Sequence, residues 1–374
     1  MERCDVLVVG GGPGGSSCAW SLARSGFDVI VADKKSFPRD KVCAGWVTPQ
    51  VFEALQLDPQ TYAKDHVLQP IYGFRVSSTI GPSADVEYNA PISFGVRRCE
   101  FDTYLLRRSG ARLALGAPIR GLRRSAHGWI ANDAIEARIV VGAGGHFCPV
   151  AQRFRAENGS TRSLVVAQEL EFRLADADAE RCRVVPEVPE LYFSADLAGY
   201  GWLVRKGEWL NVGLGRQDVW ALSDHVLEFV DATREARQIP ALPSPNLRGH
   251  AYRLHGADEC LGRDGVLLIG DAAGLAYPRS GEGIRPAVES GLLAARSIAQ
   301  AGTRDPRDVH DAYQEAIRMR FGVARGPAWL DPLAVLPDSW KRSAAAAALG
   351  NRAFARHVVI DRWFLHRRED ALAA

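Results

Sequence analysis

Two hydrophobic rhythms alternate along this chain. Asp5-Val-Leu-Val-Val9 is an unbroken apolar, β-branched run that ends on glycine, the pattern of a central strand buried on both faces of a parallel sheet. A glycine-rich turn follows, then small and apolar residues at helical spacing from Ser16 to Arg24. Gly26 stops this pattern, and a second apolar run, Val29-Ile-Val-Ala32, begins soon after. Strand, turn, helix and strand in this order form a βαβ unit.

The second rhythm has a period of two. It runs from about Val76 to Asn89. In shorter pieces, punctuated by His127-Gly128 and Asn132-Asp133, it continues between Ala111 and Val141, which predicts a small antiparallel meander. From Ser163 to His255 apolar and polar residues alternate over long stretches. Tyr200-Gly-Trp-Leu-Val204 and Trp209-Leu-Asn-Val-Gly213, joined through Lys206-Gly-Glu208, read as a hairpin. Gly265-Val-Leu-Leu-Ile269 restores the buried-strand pattern, and a helical period runs from near Gly283 to about Ala301, so the first domain is completed by a segment distant in sequence. Beyond about Asp305 the chain reads as helical and rich in Ala and Arg. The prediction is a two-domain α/β (α+β) protein. A Rossmann-like domain comes from residues 1–75, 90–160 and 256–304, an antiparallel β-sheet substrate domain from 76–89 and 163–255, and a helical C-terminal segment from 305–374.

At 374 residues the chain exceeds one ordinary core, since single cores stop growing near about 250–300 residues. With 47% hydrophobic and 24% charged residues it folds rather than staying disordered. The 46 Lys and Arg against 44 Asp and Glu leave a formal charge of +2, too little for a global field that would hold nucleic acid or an anionic membrane. Seven cysteines, odd in number and without a C-x-x-C pair, argue against a disulfide framework and against a zinc site; no metal is expected, and a reducing cytoplasm fits. No basic leader-like region opens the chain, and no run approaches the roughly 18 apolar residues of a spanning helix.

Candidate chemistry starts at Gly10-x-Gly12-x-x-Gly15, which follows a predicted strand and opens a predicted helix. Glycines there permit a tight turn, close approach of backbone to a pyrophosphate, and helix–strand packing. Asp33 ends the next strand, where a carboxylate can accept from ribose hydroxyls; the spacing makes the pair far more specific than the glycines alone. Gly270-Asp271 follows a buried strand at the sheet edge where open α/β sheets bind ligands, and Asp there can grip a polyol or simply cap a turn. The loop Ala276-Tyr-Pro-Arg-Ser-Gly-Glu-Gly283 leads into a long helix whose positive end would stabilise an anion such as a reduced flavin.

Five blocks together resemble the FAD-dependent geranylgeranyl reductase family, within the superfamily of p-hydroxybenzoate hydroxylase and the flavin-dependent halogenases. They are Asp5 to Gly15; Phe37-Pro-Arg-Asp-Lys-Val-Cys-Ala-Gly45; Arg98-Cys-Glu-Phe-Asp102; Tyr200-Gly-Trp-Leu-Val-Arg-Lys-Gly207 running to Val212-Gly-Leu-Gly215; and Ile269-Gly-Asp-Ala-Ala-Gly274 through Ser280-Gly-Glu-Gly-Ile284. The Pro-x-x-Lys-x-Cys and Tyr-x-Trp blocks favour the reductase branch. The resemblance implies that the first domain binds FAD. Gly10, Gly12, Pro13, Gly14 and Gly15 would cradle its pyrophosphate, with Asp33 and Lys34 at the adenosine ribose. Lys41, Ala44, Gly45 and Arg98 would lie near the phosphates or ribityl chain, Gly270 and Asp271 at a ribityl hydroxyl, and Pro278, Gly281, Gly283 and Ile284 at the pyrimidine edge. It also implies that Cys43 sits beside the isoalloxazine as a proton relay, the alternative being a buried inert thiol. Tyr192, Tyr200 and Trp202 on the second sheet, with Trp46 and Tyr277 beside the flavin motifs, would wall a hydrophobic substrate, or merely fill the core.

Four departures qualify this picture. Gly142-Ala-Gly-Gly145 lacks an acidic residue that many relatives carry, and Arg285 follows the Gly-Glu-Gly-Ile block, suggesting an acidic or smaller substrate head group. No Trp-x-Trp pair and no second glycine fingerprint occur, so halogenase chemistry is disfavoured, and NAD(P)H or another reductant must dock transiently. The expected activity is reduction of C=C bonds in an isoprenoid or other hydrophobic substrate. The alternative is a monooxygenase acting through a flavin hydroperoxide on a small aromatic or polyketide-like substrate; a non-catalytic FAD- or lipid-binding module is a third reading. Trp363-Phe-Leu-His-Arg-Arg368 reads either as a helix capping the core or as a weak peripheral membrane contact of a cytoplasmic protein.

Overall fold

A computed structural model of the chain describes residues 1–79, 81–155, 164–196, 198–217, 221–241, 247–256, 261–302, 306–322 and 338–373. The run at Asp5 lies in the strand Glu2–Val9, which pairs in parallel with Val29–Asp33 on one side and Ile135–Gly142 on the other. Val6, Leu7 and Val8 are 0% exposed, as a strand covered on both faces requires. Across the sheet the order is Gly262–Arg263, Val266–Leu268, Ile135–Gly142, Glu2–Val9, Val29–Asp33 and Arg112–Leu115. The late strand Val266–Leu268 thus lies two places from the first, and its return from far along the chain completes the sheet.

Helix Pro13–Arg24 starts with proline in its first turn, where the missing N–H costs nothing. It packs on Ile284–Ala301 through glycine: a Cβ on Gly291 would stand 2.4 Å from the Gly14 carbonyl oxygen. The two helix N-termini that carry the glycine motifs therefore sit side by side.

The meander expected between Ala111 and Val141 needs correction. Only Leu122–Ser125, Gly128–Ala131 and Ile135–Gly142 pair antiparallel. Arg112–Leu115 joins the main sheet parallel to Val29–Asp33, and Ile135–Gly142 also pairs parallel with the first strand. The unbroken Ile139-Val-Val141 run explains it, being buried from both sides.

The second sheet has the order Arg248–Arg253, Leu164–Arg173, Trp209–Arg216, Gly199–Lys206, Glu190–Phe193, Gly73–Ser78, Ser83–Glu87. All neighbours are antiparallel except Glu190–Phe193 with Gly73–Ser78. The alternating stretch also contains a helix, Leu222–Arg237, whose Val226, Phe229, Val230 and Thr233 cover one face of this sheet with helical spacing. A small third sheet, Trp46–Val47, Ser93–Val96 and Leu68–Ile71, supports the segment after Cys43, with Val96 N donating to the Gly45 carbonyl at 2.6 Å.

The C-terminal portion contains the helix Asp338–Leu349 and a π-helical segment, Ala355–Phe364. Phe364 and Leu365 are buried with Trp46 and Phe193, which is the core-capping reading of this aromatic and basic cluster. Arg285 corrects an expectation. It is 1% exposed, with Nε donating to Glu289 at 2.8 Å, Nη1 to the carbonyls of Leu365 and His366, and Nη2 to those of Glu369 and Asp370. Its fork is spent on holding residues 365–370 against the Ile284–Ala301 helix, so it is not available to a substrate head group.

Candidate active site

A cleft of about 380 Å³ opens at the C-terminal ends of the parallel strands, where Val9, Asp33 and Ile269 reach it. One end is built of backbone. Gly10 has φ +118°, and a Cβ there would lie 2.4 Å from the Ala143 oxygen; a Cβ on Gly15 would lie 1.9 Å from the Gly10 oxygen. The helix behind this loop has no side-chain cap at Gly12, so its first N–H groups remain for an anion. Asp33 accepts from Gly11 N and from Lys35 N, both at 2.8 Å, and ties the loop to the strand end.

The middle of the cleft is cationic. Arg98, 7% exposed, forks onto Asp102 at 2.8 and 2.9 Å, and Arg39 reaches the same carboxylate at 3.2 Å. Lys41 Nζ donates to the Val42 carbonyl at 3.3 Å. Burial first and the neighbouring Arg98 second push the Lys41 pKa down, with Asp271 only partly opposing. Such a cation is suited to an added phosphate. Asp271 faces His250 Nε2 at 3.3 Å; burial would raise its pKa, yet His250, Lys41 and Arg98 outweigh that and hold it below the usual carboxylate range. Burial lowers the pKa of His250.

Across from the glycine loop lies the start of the Ile284–Ala301 helix. Gly281 has φ +68°, and a Cβ on it would strike the Tyr252 hydroxyl at 2.3 Å. Glu282 Oε1 accepts from Arg285 N at 2.7 Å and so caps this helix, while Oε2 is buried without a hydrogen-bond partner among the described residues. Burial pushes the Glu282 pKa up to about 7.

The other end is apolar and made of side chains: Ala44, Trp46, Ala167, Tyr200, Trp202 and Tyr252. Tyr200 and Trp202, two apart on one strand, stand with ring centroids 6.0 Å apart, and Tyr200 donates to the Ser280 carbonyl at 2.5 Å. The second sheet grips the Cys43–Gly45 segment between these ends. Trp202 Nε1 donates to Asn211 Oδ1 at 2.7 Å, and Asn211 Nδ2 donates to the Cys43 carbonyl at 3.3 Å and to Glu169 at 3.2 Å. Lys206, fully buried, donates to the carbonyls of Ala44 and Val96 at 3.2 Å and pairs with Glu171.

Cys43, Trp46, Tyr200, Trp202 and every expected cofactor residue except Gly15 and Pro278 line this cleft. Gly15 lies just behind the loop, where its lack of a side chain lets the turn close. Two expected substrate residues are not brought in. Tyr192 points to the opposite face of its sheet, packed on Phe229 and donating to Glu190. Tyr277 stacks on His366 with centroids 3.6 Å apart beneath the C-terminal segment. Sequence reasoning gave no role to Arg39, Glu169, Asn211, Lys206, His250 and Tyr252, and it read Glu282 only as part of the Gly281–Ile284 loop. Only His250 and Tyr252, two apart on one strand, left a usable signal, the period of two that puts both on one face.

Residues 5–72 match the model of the family described as FAD dependent oxidoreductase. The chain is 30% identical over 353 residues to a menaquinone reductase of Mycolicibacterium smegmatis, covering 86% of this chain and 83% of that one. It is 28% identical over 349 residues to digeranylgeranylglycerophospholipid reductase 1 of Methanosphaera stadtmanae, covering 86% and 82%. Among solved structures, a geranylgeranyl bacteriochlorophyll reductase-like protein of Thermoplasma acidophilum superposes with a TM-score of 0.78 over 98% of both chains at 20% identity, a likeness of fold.

Proposed function

The chain belongs to the FAD-dependent geranylgeranyl reductase family, and from that membership we propose that it saturates isolated C=C bonds of an apolar, isoprenoid-type substrate. One observation carries the reading: Cys43 and the wall of Trp46, Tyr200, Trp202 and Tyr252 share a single cleft with the glycine loop and its cations.

The residues present suit FAD. A loop that leaves no room for a Cβ at Gly10 or Gly15, beside uncapped N–H groups, suits a pyrophosphate, and Lys41 and Arg98 extend positive charge along the cleft. Asp271, oriented by His250, suits a ribityl hydroxyl, and the backbone from Gly281 to Ile284 with the positive helix end behind it suits the pyrimidine edge. When bound and reduced, FAD supplies the hydride. The chain's own share is to hold the apolar chain, exclude water with the aromatic wall and deliver a proton, for which the Sγ–H of Cys43 is the group in position.

The electron donor is NAD(P)H or another diffusible reductant, since the chain has one glycine fingerprint. The names of the relatives point to a geranylgeranyl lipid and a menaquinone as substrates to try. The test is to reduce the flavin-loaded protein with dithionite under argon, add each in turn, and follow products by mass spectrometry. A product gaining two hydrogens per bond without oxygen is expected. Turnover that requires oxygen and yields a hydroxylated product would replace this reading with a monooxygenase.

A further inference from the structure

A second cavity of about 290 Å³ lies behind the Asp40–Cys43 segment, and Cys43 borders both it and the main cleft. Its walls carry Lys41, Arg97, Arg98, Glu169, Glu171 and Arg248, a charged lining that takes up water at this size. Asp40 and Arg248, paired across it, are 61% and 62% exposed, so the cavity reaches the surface there. Cys43 therefore stands between the main cleft and a second, wet chamber.

Glu169 is 5% exposed and stands in the wet chamber, on the strand Leu164–Arg173. Its neighbour Glu171 is tied to two cations, Lys206 and Arg97. Glu169 has neutral donors instead, Asn211 Nδ2 at 3.2 Å and the Cys43 backbone, with Lys206 at longer range and Glu171 repelling its charge. Burial dominates this balance and raises its pKa. Around the thiol stand Lys41 and Arg98 from the first domain and Tyr200 and Tyr252 from the second sheet. No cation pairs directly with Glu169 among the described residues, and a buried carboxyl without a paired cation, facing a cavity that reaches solvent, is the kind of group that carries protons in functional sites.

We infer that this second cavity is the proton inlet of the enzyme and that Glu169, through cavity water, returns a proton to Cys43 after each turnover. The inference rests on the reductase reading above. In each cycle the Cys43 S–H bond breaks as a C–H bond forms on the substrate carbon that did not receive the hydride. The thiolate then takes the Glu169 O–H proton, and Glu169 recovers one from solvent past Asp40 and Arg248. No electrons move in this relay; the pair enters with the hydride of reduced FAD. Glu169 acts through Cys43 and is a positioning and supply residue.

The test compares flavin-loaded wild type with Glu169→Gln and Glu169→Asp. Gln keeps an acceptor for the Cys43 backbone but cannot carry the proton. In rapid-mix product assays under argon, Glu169→Gln should complete its first turnover at near the wild-type rate, because in this relay the first proton comes from Cys43 and not from Glu169. Later turnovers should slow about tenfold or more, with Glu169→Asp restoring part of the loss. A readout that needs no substrate is alkylation of Cys43 by iodoacetamide across pH, resolved by peptide mass spectrometry. Its midpoint should shift by about half a unit or more in Glu169→Gln. An unshifted alkylation profile overturns the coupling whatever the substrate proves to be. Equal slowing of first and later turnovers, with flavin content intact, overturns proton supply and leaves Glu169 only a brace for the Cys43 segment. Absence of any saturated product from the wild type sinks the reductase reading instead, and the alkylation result stands apart from it.

Discussion

At the glycine end of the cleft, from Gly10 to Gly15, the wall is main chain, whereas at the far end Trp46, Tyr200 and Trp202 form it with their rings. The two ends therefore fail in opposite ways. Adding a methyl group at Gly10 or Gly15 damages the first, because the neighbouring backbone stands 2.4 and 1.9 Å from where it would go. Removing atoms damages the second, where buried charges and amides such as Lys206 and Asn211 hold the Cys43 segment and cannot lose a partner cheaply.

Four experiments press on this contrast, beginning with the largest effect. Gly15→Ala should abolish FAD loading, with flavin per protein in the visible spectrum falling below about a tenth of wild type, because the glycine loop cannot close. Retained yellow colour would mean the loop can yield. Next, Lys206→Met should lower stability by about 3 kcal/mol in urea unfolding, since it leaves the Ala44 and Val96 carbonyls without their donor and Glu171 with Arg97 alone.

Glu282→Gln probes the junction of the two ends through pH. The folded protein holds the Glu282 proton more tightly than the unfolded chain does, its pKa being raised from 4.5 to about 7. Its stabilising contribution is full below the unfolded value and disappears as pH rises through about 7. The substitution should thus remove about 2 kcal/mol of the fall in apoprotein stability between about pH 5 and pH 8. Identical pH slopes for variant and wild type would show that Glu282 stays ionised. Smallest of all, Tyr192→Phe should leave turnover within about twofold, because the ring faces Phe229 and not the cleft, whereas Tyr200→Phe should alter it. A large effect of Tyr192→Phe on turnover would break the distinction between the two sheet faces.

The same contrast explains what the sequence could and could not reveal. Gly10, Gly12 and Asp33 announce themselves because a phosphate loop is local: its spacing is fixed by one turn, one helix start and one strand end. The hydrogen bond from Asn211 to Cys43 spans 168 positions, and Lys206 reaches Ala44 across 162. No local pattern encodes such a meeting; it follows from how the second sheet docks on the first. Period two did pair Tyr200 with Trp202, yet alternation alone cannot say which face of a sheet meets the cofactor, and Tyr192 was placed on the wrong one. Arg285 misled for a related reason. A charge beside a binding motif suggests a ligand, and only the folded chain reveals the carbonyls of residues 365–370 that satisfy it.

That Arg285 anchor also bears on how the protein is made. The helix it belongs to completes the cofactor loop, and the carbonyls it needs lie some eighty positions later, at residues 365 to 370. While the ribosome is still adding those residues, the Arg285 guanidinium is buried without its full set of acceptors, or the helix stays undocked. Folding of the first domain can begin earlier on the nascent chain, but the flavin pocket is finished only once residues 365–370 have joined the Arg285 fork.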